Sequence, residues 1–156
     1  MSSLEVRPAQ KTDVPALAAL MVEFYGESSF PLRPEAAARA FTHLIDSPDR
    51  GQVWLLVAGG APAGFVVLTV SFSMEYGALR GFIDDFFITP AHRNKGLGKL
   101  ALAAVKHACD SRDVRALLVE VAPDNGVAQR VYRGAGLDDT GHTLLSLRLG
   151  TPLHEQ

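Results

Sequence analysis

Three groups of residues in this 156-residue chain have types and spacing that bear chemistry: the run Arg93-Asn94-Lys95-Gly96-Leu97-Gly98-Lys99, the pair Asp84-Asp85, and Tyr132. The run lies between an apolar strand, Phe82 to Thr89, and an apolar-striped helix that starts near Gly96. A strand, a basic glycine-bearing loop and a helix start together make an anion cradle. The first amides of a helix lack intrahelical acceptors, and the helix dipole favours negative charge beside them. Glycine, having no Cβ, lets the backbone approach a phosphate closely. Arg93 and Lys95 would face the anion together with the amides of Asn94, Gly96, Gly98 and Lys99. The expected ligand is a diphosphate-bearing cofactor. Asp84 and Asp85 are adjacent on a strand, so only one can face a given pocket unless a bulge intervenes. Diverging side chains speak against a paired-acid glycosidase.

The elements that must position these residues follow from periodicity and punctuation. Leu4 to Arg7 reads as a short strand. Thr12 or Asp13 caps a helix with Pro15 in its first turn, and Leu17, Leu20, Met21, Phe24 and Tyr25 recur along it at helical spacing. A second helix runs from Pro34 to about Asp46, with Ala37, Phe41, Leu44 and Ile45 inward. Gln52 to Ala58 and Gly64 to Phe72 are strands joined by a Gly/Pro-rich turn, and a third strand follows at Leu79 to Thr89. Leu97, Leu100, Ala101, Ala104, Val105 and Ala108 stripe the next helix. The near-continuous apolar run Ala116 to Val121 predicts a central strand covered on both faces. Pro123 to Gly126 turns into a helix from about Val127 to Ala135, and Leu137 to Leu149 reads as two strands turning near Thr140-Gly141. The order β-α-α-β-β-β-α-β-α-β-β describes a mixed α/β domain over 1–150, with a dispensable tail at 151–156.

Composition bounds the function. Hydrophobic residues make up 47% and charged residues 21%, and the formal net charge is −2, which argues against a general nucleic-acid partner. No basic stretch followed by an apolar core opens the chain at Met1 to Arg7, and no apolar run is long enough to cross a bilayer. Cys109 is the only cysteine, which suits a reducing cytoplasm. Five histidines without paired ligand spacing give no metal site, so none is expected.

Three cofactor readings compete for the loop. A nucleotide P-loop needs a hydroxyl after Gly98-Lys99, where Leu100 stands. Gly96-Leu97-Gly98-Lys99-Leu100-Ala101 fits the dinucleotide fingerprint, with Glu120 at the distance of a ribose-binding acid. In that fold, however, the strand runs almost directly into the first glycine and the motif opens the domain. Here Pro90 to Lys95 intervene, and too few residues follow for a doubly wound sheet.

The third reading rests on two motifs in order. Arg93-x-x-Gly96-x-Gly98, after a strand ending Phe86-Phe87-Ile88, resembles the pyrophosphate loop of the GNAT N-acetyltransferase superfamily. Asn125, Ala128, Tyr132 and Gly136-Leu137 resemble that family's later motif, with Leu137 in place of Phe. Val6-Arg7-Pro8-Ala9 before a capped helix is also similar, and the element order matches along nearly the whole chain. Ile83-Asp84-Asp85-Phe86-Phe87-Ile88 is most similar to the spermidine/spermine (diamine) branch.

The resemblance implies a central, mostly antiparallel sheet of six to seven strands flanked by four helices. It implies acetyl transfer from acetyl-CoA to a primary amine by direct attack. Acetyl-CoA would lie against Phe86, Phe87 and Ile88, the loop residues Arg93, Asn94, Lys95, Gly96, Leu97, Gly98 and Lys99, and Asn125, which holds the pantetheine arm or simply caps its helix. An alkylammonium titrates near ~10.4, so a base must uncover the nucleophile. By the branch resemblance Asp84 holds that position, where the branch has Glu; otherwise it is a structural carboxylate. Tyr132 would protonate the leaving thiolate. The acceptor would be a polyamine, diamine or amino-acid-like molecule, with no nucleic acid or membrane as partner; a homodimer is expected from the branch. A protein or peptide N-acetyltransferase on the same scaffold, and a non-catalytic CoA sensor, are the alternatives.

Overall fold

The computed structural model describes residues 3–156; Met1 and Ser2, part of the stretch read for a leader, lie outside the described residues. In chain order the elements are β1 (Leu4–Pro8), α1 (Val14–Glu27), α2 (Pro34–Ile45), β2 (Gly51–Ala58), β3 (Ala61–Ser73), β4 (Ala78–Ile88), α3 (Leu97–Ser111), β5 (Val114–Val119) and α4 (Gly126–Gly134). The five strands form one sheet in sequence order. Neighbours are antiparallel except β4 and β5, which are parallel. The expected mixed α/β fold with four helices is present.

Strand alternation splits the core into two layers. Val53, Leu55 and Val57 of β2, with Phe65, Val67 and Phe87, face α1 and α2, meeting Leu17, Met21, Ala37 and Phe41. Trp54 and Leu56, with Val66, Leu68 and Ile83, face α3 and meet Leu97, Ala101, Leu102 and Val105. Phe65 is fully buried, edge-on to Phe41 at a centroid distance of 5.3 Å. β3 and β4 pack tightly where Gly64 passes Phe87: a Cβ on Gly64 would stand 2.2 Å from the Phe87 carbonyl oxygen. Asp13 does not cap α1 with its side chain. It accepts two hydrogen bonds from Arg7 at 2.8 and 2.9 Å and one from the Gln10 amide, fastening β1 to the helix entry.

Ile83 faces α3 whereas Phe87 faces α1 and α2, although residues four apart on an unbroken strand share a face. Val67 pairs with Asp85 and Leu68 with Ile83, so Asp84 is left without a partner. It is the extra residue of a β-bulge, which inverts the alternation beyond it. The parallel pairing of β4 with β5 also ends at Ile83 opposite Val119. From Asp84 onward β4 is therefore bound to β3 alone, and the two strands part.

Two expectations need correction. Among the described residues five strands form, not six or seven: residues 137–152 pair with no strand and leave four leucines exposed, and a strand requires a partner ladder and a surface to bury against. The apolar strand expected at Ala116 to Val121 runs from Val114 to Val119 and lies at the edge of the sheet, half-buried. Leu153, in a short 3-10 turn (Leu153–Glu155), packs onto the α1/α2 core, and the ring of His154 lies 4.5 Å from that of Phe30.

Candidate active site

The site forms where β4 leaves β5. Thr89 donates its amide to the Ala63 carbonyl, so Phe87 and Asp85, at even spacing, also turn their amides toward β3. Phe86 and Ile88 then point theirs the other way, into the opening. The Ile88 carbonyl on that side accepts from Arg93 Nε at 2.8 Å, consistent with this polarity. Across the opening stands Tyr132 of α4, its ring edge-on to Phe86 at 6.3 Å. Burial pushes its phenol up to about 12. Among the described residues, no side chain or backbone group hydrogen-bonds its hydroxyl.

The loop that follows β4 has the form an anion requires. Gly96 caps α3 with φ +88, a left-handed conformation that costs other residues about 1–2 kcal/mol, and no protein atom lies within 4 Å of a Cβ placed there. Asn94 is also left-handed, at φ +62. The first bond of the helix runs from the Leu100 amide to the Gly96 carbonyl. Among the described residues nothing accepts from the amides of Asn94, Lys95, Gly96, Leu97, Gly98 or Lys99, six donors at or just before the positive end of a 15-residue helix. Gly98 sits at the junction. A Cβ there would meet Ile88 at 3.5 Å, Val131 at 3.6 Å and Phe86 at 3.8 Å, ordinary contact distances that show how near the α3 start lies to β4 and α4.

Two of the expected cofactor contacts have side chains bound within the protein, Asn125 as the helix cap that the sequence also allowed. The Arg93 guanidinium turns to Glu27 at the end of α1, with Nη2 2.8 Å from both carboxylate oxygens, and lies 5.7 Å above the Phe87 ring. It braces the loop against β4 and α1. Asn125 Oδ1 accepts from the Ala128 amide at 3.1 Å, so its side chain serves as the α4 cap.

On the α1 side of β4 the bulge brings the two carboxylates to one region. The Tyr25 hydroxyl lies 3.5 Å from Asp85 Oδ2. Burial and the neighbouring Asp84 charge raise Asp85 to about 7, against the opposing effect of the Tyr25 hydrogen bond. Asp84 is the more exposed member, raised by burial alone. Tyr25 is pushed up to about 12 by burial and by both carboxylates. Asp85 opens onto a cavity of about 340 Å³ lined also by Tyr25, Ser28, Phe30, Leu153 and His154. Sequence reasoning took Tyr25 only as a packing residue and left His154 without a role. The Tyr25–Asp85 contact spans 60 positions, and no periodicity announces it.

Free amides at a helix start, an open strand edge with its own free amides, a phenol across from it and a carboxylate pair behind it lie together where β4 leaves β5. Residues 16–137 match the Acetyltransferase (GNAT) family, and the chain belongs to that family. It is an N-acetyltransferase, with acetyl-CoA as co-substrate. An aminoglycoside N(6')-acetyltransferase type 1 of Salmonella typhimurium is 24% identical over 114 residues, covering 71% of this chain and 79% of that protein. The integron cassette protein HFX_CASS3, from the mobile metagenome of Cole Harbour Salt Marsh, is 49% identical with a TM-score of 0.90, covering 96% of this chain and 93% of its own. Aminoglycoside N-acetyltransferase AAC(6')-Iy, solved with CoA, has a TM-score of 0.81 at 19% identity, covering 95% and 96%; that likeness carries the fold alone.

Proposed function

We propose that this chain acetylates a primary amine of a small polycationic molecule, of the polyamine, diamine or aminosugar kind. The observation that carries the reading is the bulge at Asp84, which brings both carboxylates to one side of β4 beside a cavity sized for a small ligand. Two adjacent carboxylates attract a cation bearing more than one ammonium group. The similarity to an aminoglycoside acetyltransferase agrees with such an acceptor, as does the resemblance of Ile83 to Ile88 to the diamine branch.

Acetyl-CoA supplies a thioester acyl donor. The amides of residues 94–99, with Lys95 and Lys99, would hold its diphosphate, and the free amides of Phe86 and Ile88 would take its arm and carbonyl oxygen. Asp84 stands where β4 parts from β5 and takes the ammonium proton, directly or through water. Asp85 is coupled to it, so the two titrate as a pair. Burial raises Asp84 above the ordinary carboxylate range, and burial with the Asp84 charge raises Asp85 to about 7, the direction in which a general base at neutral pH is tuned. Attack by the neutral amine forms the C–N bond as the C–S bond breaks; Tyr132 gives its proton to the departing sulfur, and the phenolate left behind takes the surplus proton from the acetylated nitrogen. Burial makes Tyr132 a weaker acid than free phenol, but it raises a nearby thiol in the same way and keeps the phenol protonated at neutral pH.

The test is acetyl-CoA-dependent thiol release across polyamines, diamines, aminoglycosides, amino acids and peptides. Turnover with polyamines, diamines or aminoglycosides and not with peptides is expected. Turnover with peptides alone, or acetyl-CoA binding without turnover on any amine, would replace this reading.

A further inference from the structure

Three aromatic rings and one carboxylate meet in the cavity beside β4. Tyr25 from the last turn of α1, Phe30 from the connection to α2, and His154 line it together with Asp85. The His154 ring lies 4.5 Å from that of Phe30 and 6.0 Å from that of Tyr25, so the three rings form one wall. Phenylalanine is ordinarily among the most buried residues, yet Phe30 leaves 47% of its surface open. Asp85 Oδ2 lies 3.5 Å from the Tyr25 hydroxyl, and no lysine or arginine is among the described residues that line the cavity. A carboxylate taken from water without a cation resists ionisation, and Asp85 is accordingly raised to about 7.

Ring faces attract a cation through their quadrupole and need no hydrogen bond to do so. The polar atoms of this wall are few: the Asp85 carboxylate, the hydroxyls of Tyr25 and Ser28, and the His154 ring. A primary ammonium among the rings would leave N–H donors short of acceptors, and that is costly in a desolvated site. An N-alkylated ammonium has few N–H groups or none, and its methyl groups suit apolar walls. A quaternary nitrogen cannot be acetylated. In this cavity it would be the far end of an acceptor whose reacting amine lies toward Asp84, where β4 leaves β5.

We propose that Tyr25, Phe30 and His154, with Asp85, hold the non-reacting end of the acceptor as an N-alkylated ammonium, so that the preferred substrates are primary amines carrying a second, alkylated cationic group. The inference rests on the reading above that the acceptor is a polycation bound beside the two carboxylates.

Two acceptors of one shape separate charge from bulk: a primary alkylamine ending in trimethylammonium and its isostere ending in tert-butyl. With saturating acetyl-CoA and the full chain, kcat/KM should favour the cationic amine by about 10-fold or more, chiefly through KM. Phe30→Leu keeps an apolar side chain and removes the ring, so it should cut that preference about 5-fold. A wild-type ratio near one, or a ratio that Phe30→Leu leaves unchanged, would overturn the proposal. Tetramethylammonium has no N–H and cannot be acetylated, so its calorimetric titration needs no turnover. Saturable binding that Phe30→Leu weakens is expected, and no saturable binding would overturn the subsite. Binding of this probe without turnover of any amine would support the subsite and overturn the polycation reading. Turnover of polyamines without preference for the trimethylammonium amine would do the reverse. Should Phe30→Leu fail to fold, the wild-type ratio and the tetramethylammonium titration decide alone.

Discussion

The Tyr25 hydroxyl lies 3.5 Å from Asp85 Oδ2, joining the end of α1 to the bulged half of β4. Asp85 titrates at about 7 in the folded chain, above its ordinary 3.8. As pH rises the unfolded chain ionises first, so Asp85 lowers stability progressively between about pH 4 and 7 and by a constant amount above. Asp85→Asn removes that cost. Its Tm should equal that of the wild type near pH 4 and exceed it by a few degrees, on the order of 3–6 °C, at pH 8. Thermal melts across pH check this, and a gain independent of pH would contradict it.

Asp84→Asn separates the two carboxylates in catalysis. It should lower kcat by about 10- to 100-fold if Asp84 receives the proton. It should also move the rising limb of kcat/KM to lower pH, because the Asp84 charge helps hold Asp85 high. A pH–rate profile reads both effects, and an unchanged kcat would remove Asp84 from the reaction.

Tyr132→Phe deletes only a hydroxyl that has no protein partner among the described residues. Turnover should fall about 100-fold or more while acetyl-CoA affinity changes little. Equal loss of kcat and of affinity would make the phenol a binding group and not an acid.

The two loop glycines should behave differently. Gly96→Ala must hold φ +88, at a cost of about 1–2 kcal/mol, and should weaken acetyl-CoA binding roughly 5- to 30-fold. Gly98→Ala places a methyl at ordinary contact distance from Ile88, Val131 and Phe86 and should fold as the wild type does. Calorimetric titration of both variants checks the contrast.

Arg93→Ala should cost stability more than cofactor affinity, because its guanidinium is bound to Glu27, the Ile88 carbonyl and the Phe87 face. The expected loss is about 1–2 kcal/mol in unfolding. A large loss of acetyl-CoA affinity at unchanged stability would return Arg93 to the anion.

These contrasts mark how far the sequence could be read. The loop from Arg93 to Lys99 and the phenol at 132 stand in local motifs, so both were legible, and so were the bounds of α2, which follow Pro34 and an apolar stripe. The parting of β4 from β5 was not, because an apolar run such as Ala116 to Val121 reads alike at the centre and at the edge of a sheet. Alternation correctly sends adjacent strand residues to opposite faces, and only the partner strand's register reveals that Asp84 is bulged. The Arg93–Glu27 bond spans 66 positions, and a basic residue beside glycines carries no mark of an acidic partner so distant. Leu137 to Leu149 alternates as a strand does, but alternation cannot name the strand it pairs with.

The central claim is that amides 94–99 at the start of α3, with those of Phe86 and Ile88, receive coenzyme A. Titration of acetyl-CoA into the 15N-labelled chain, followed residue by residue, tests it most directly. Saturable shifts concentrated at these eight amides, with slowed exchange in the complex, are the expected result. Tight binding that leaves them unperturbed, or shifts centred on another surface, would contradict it.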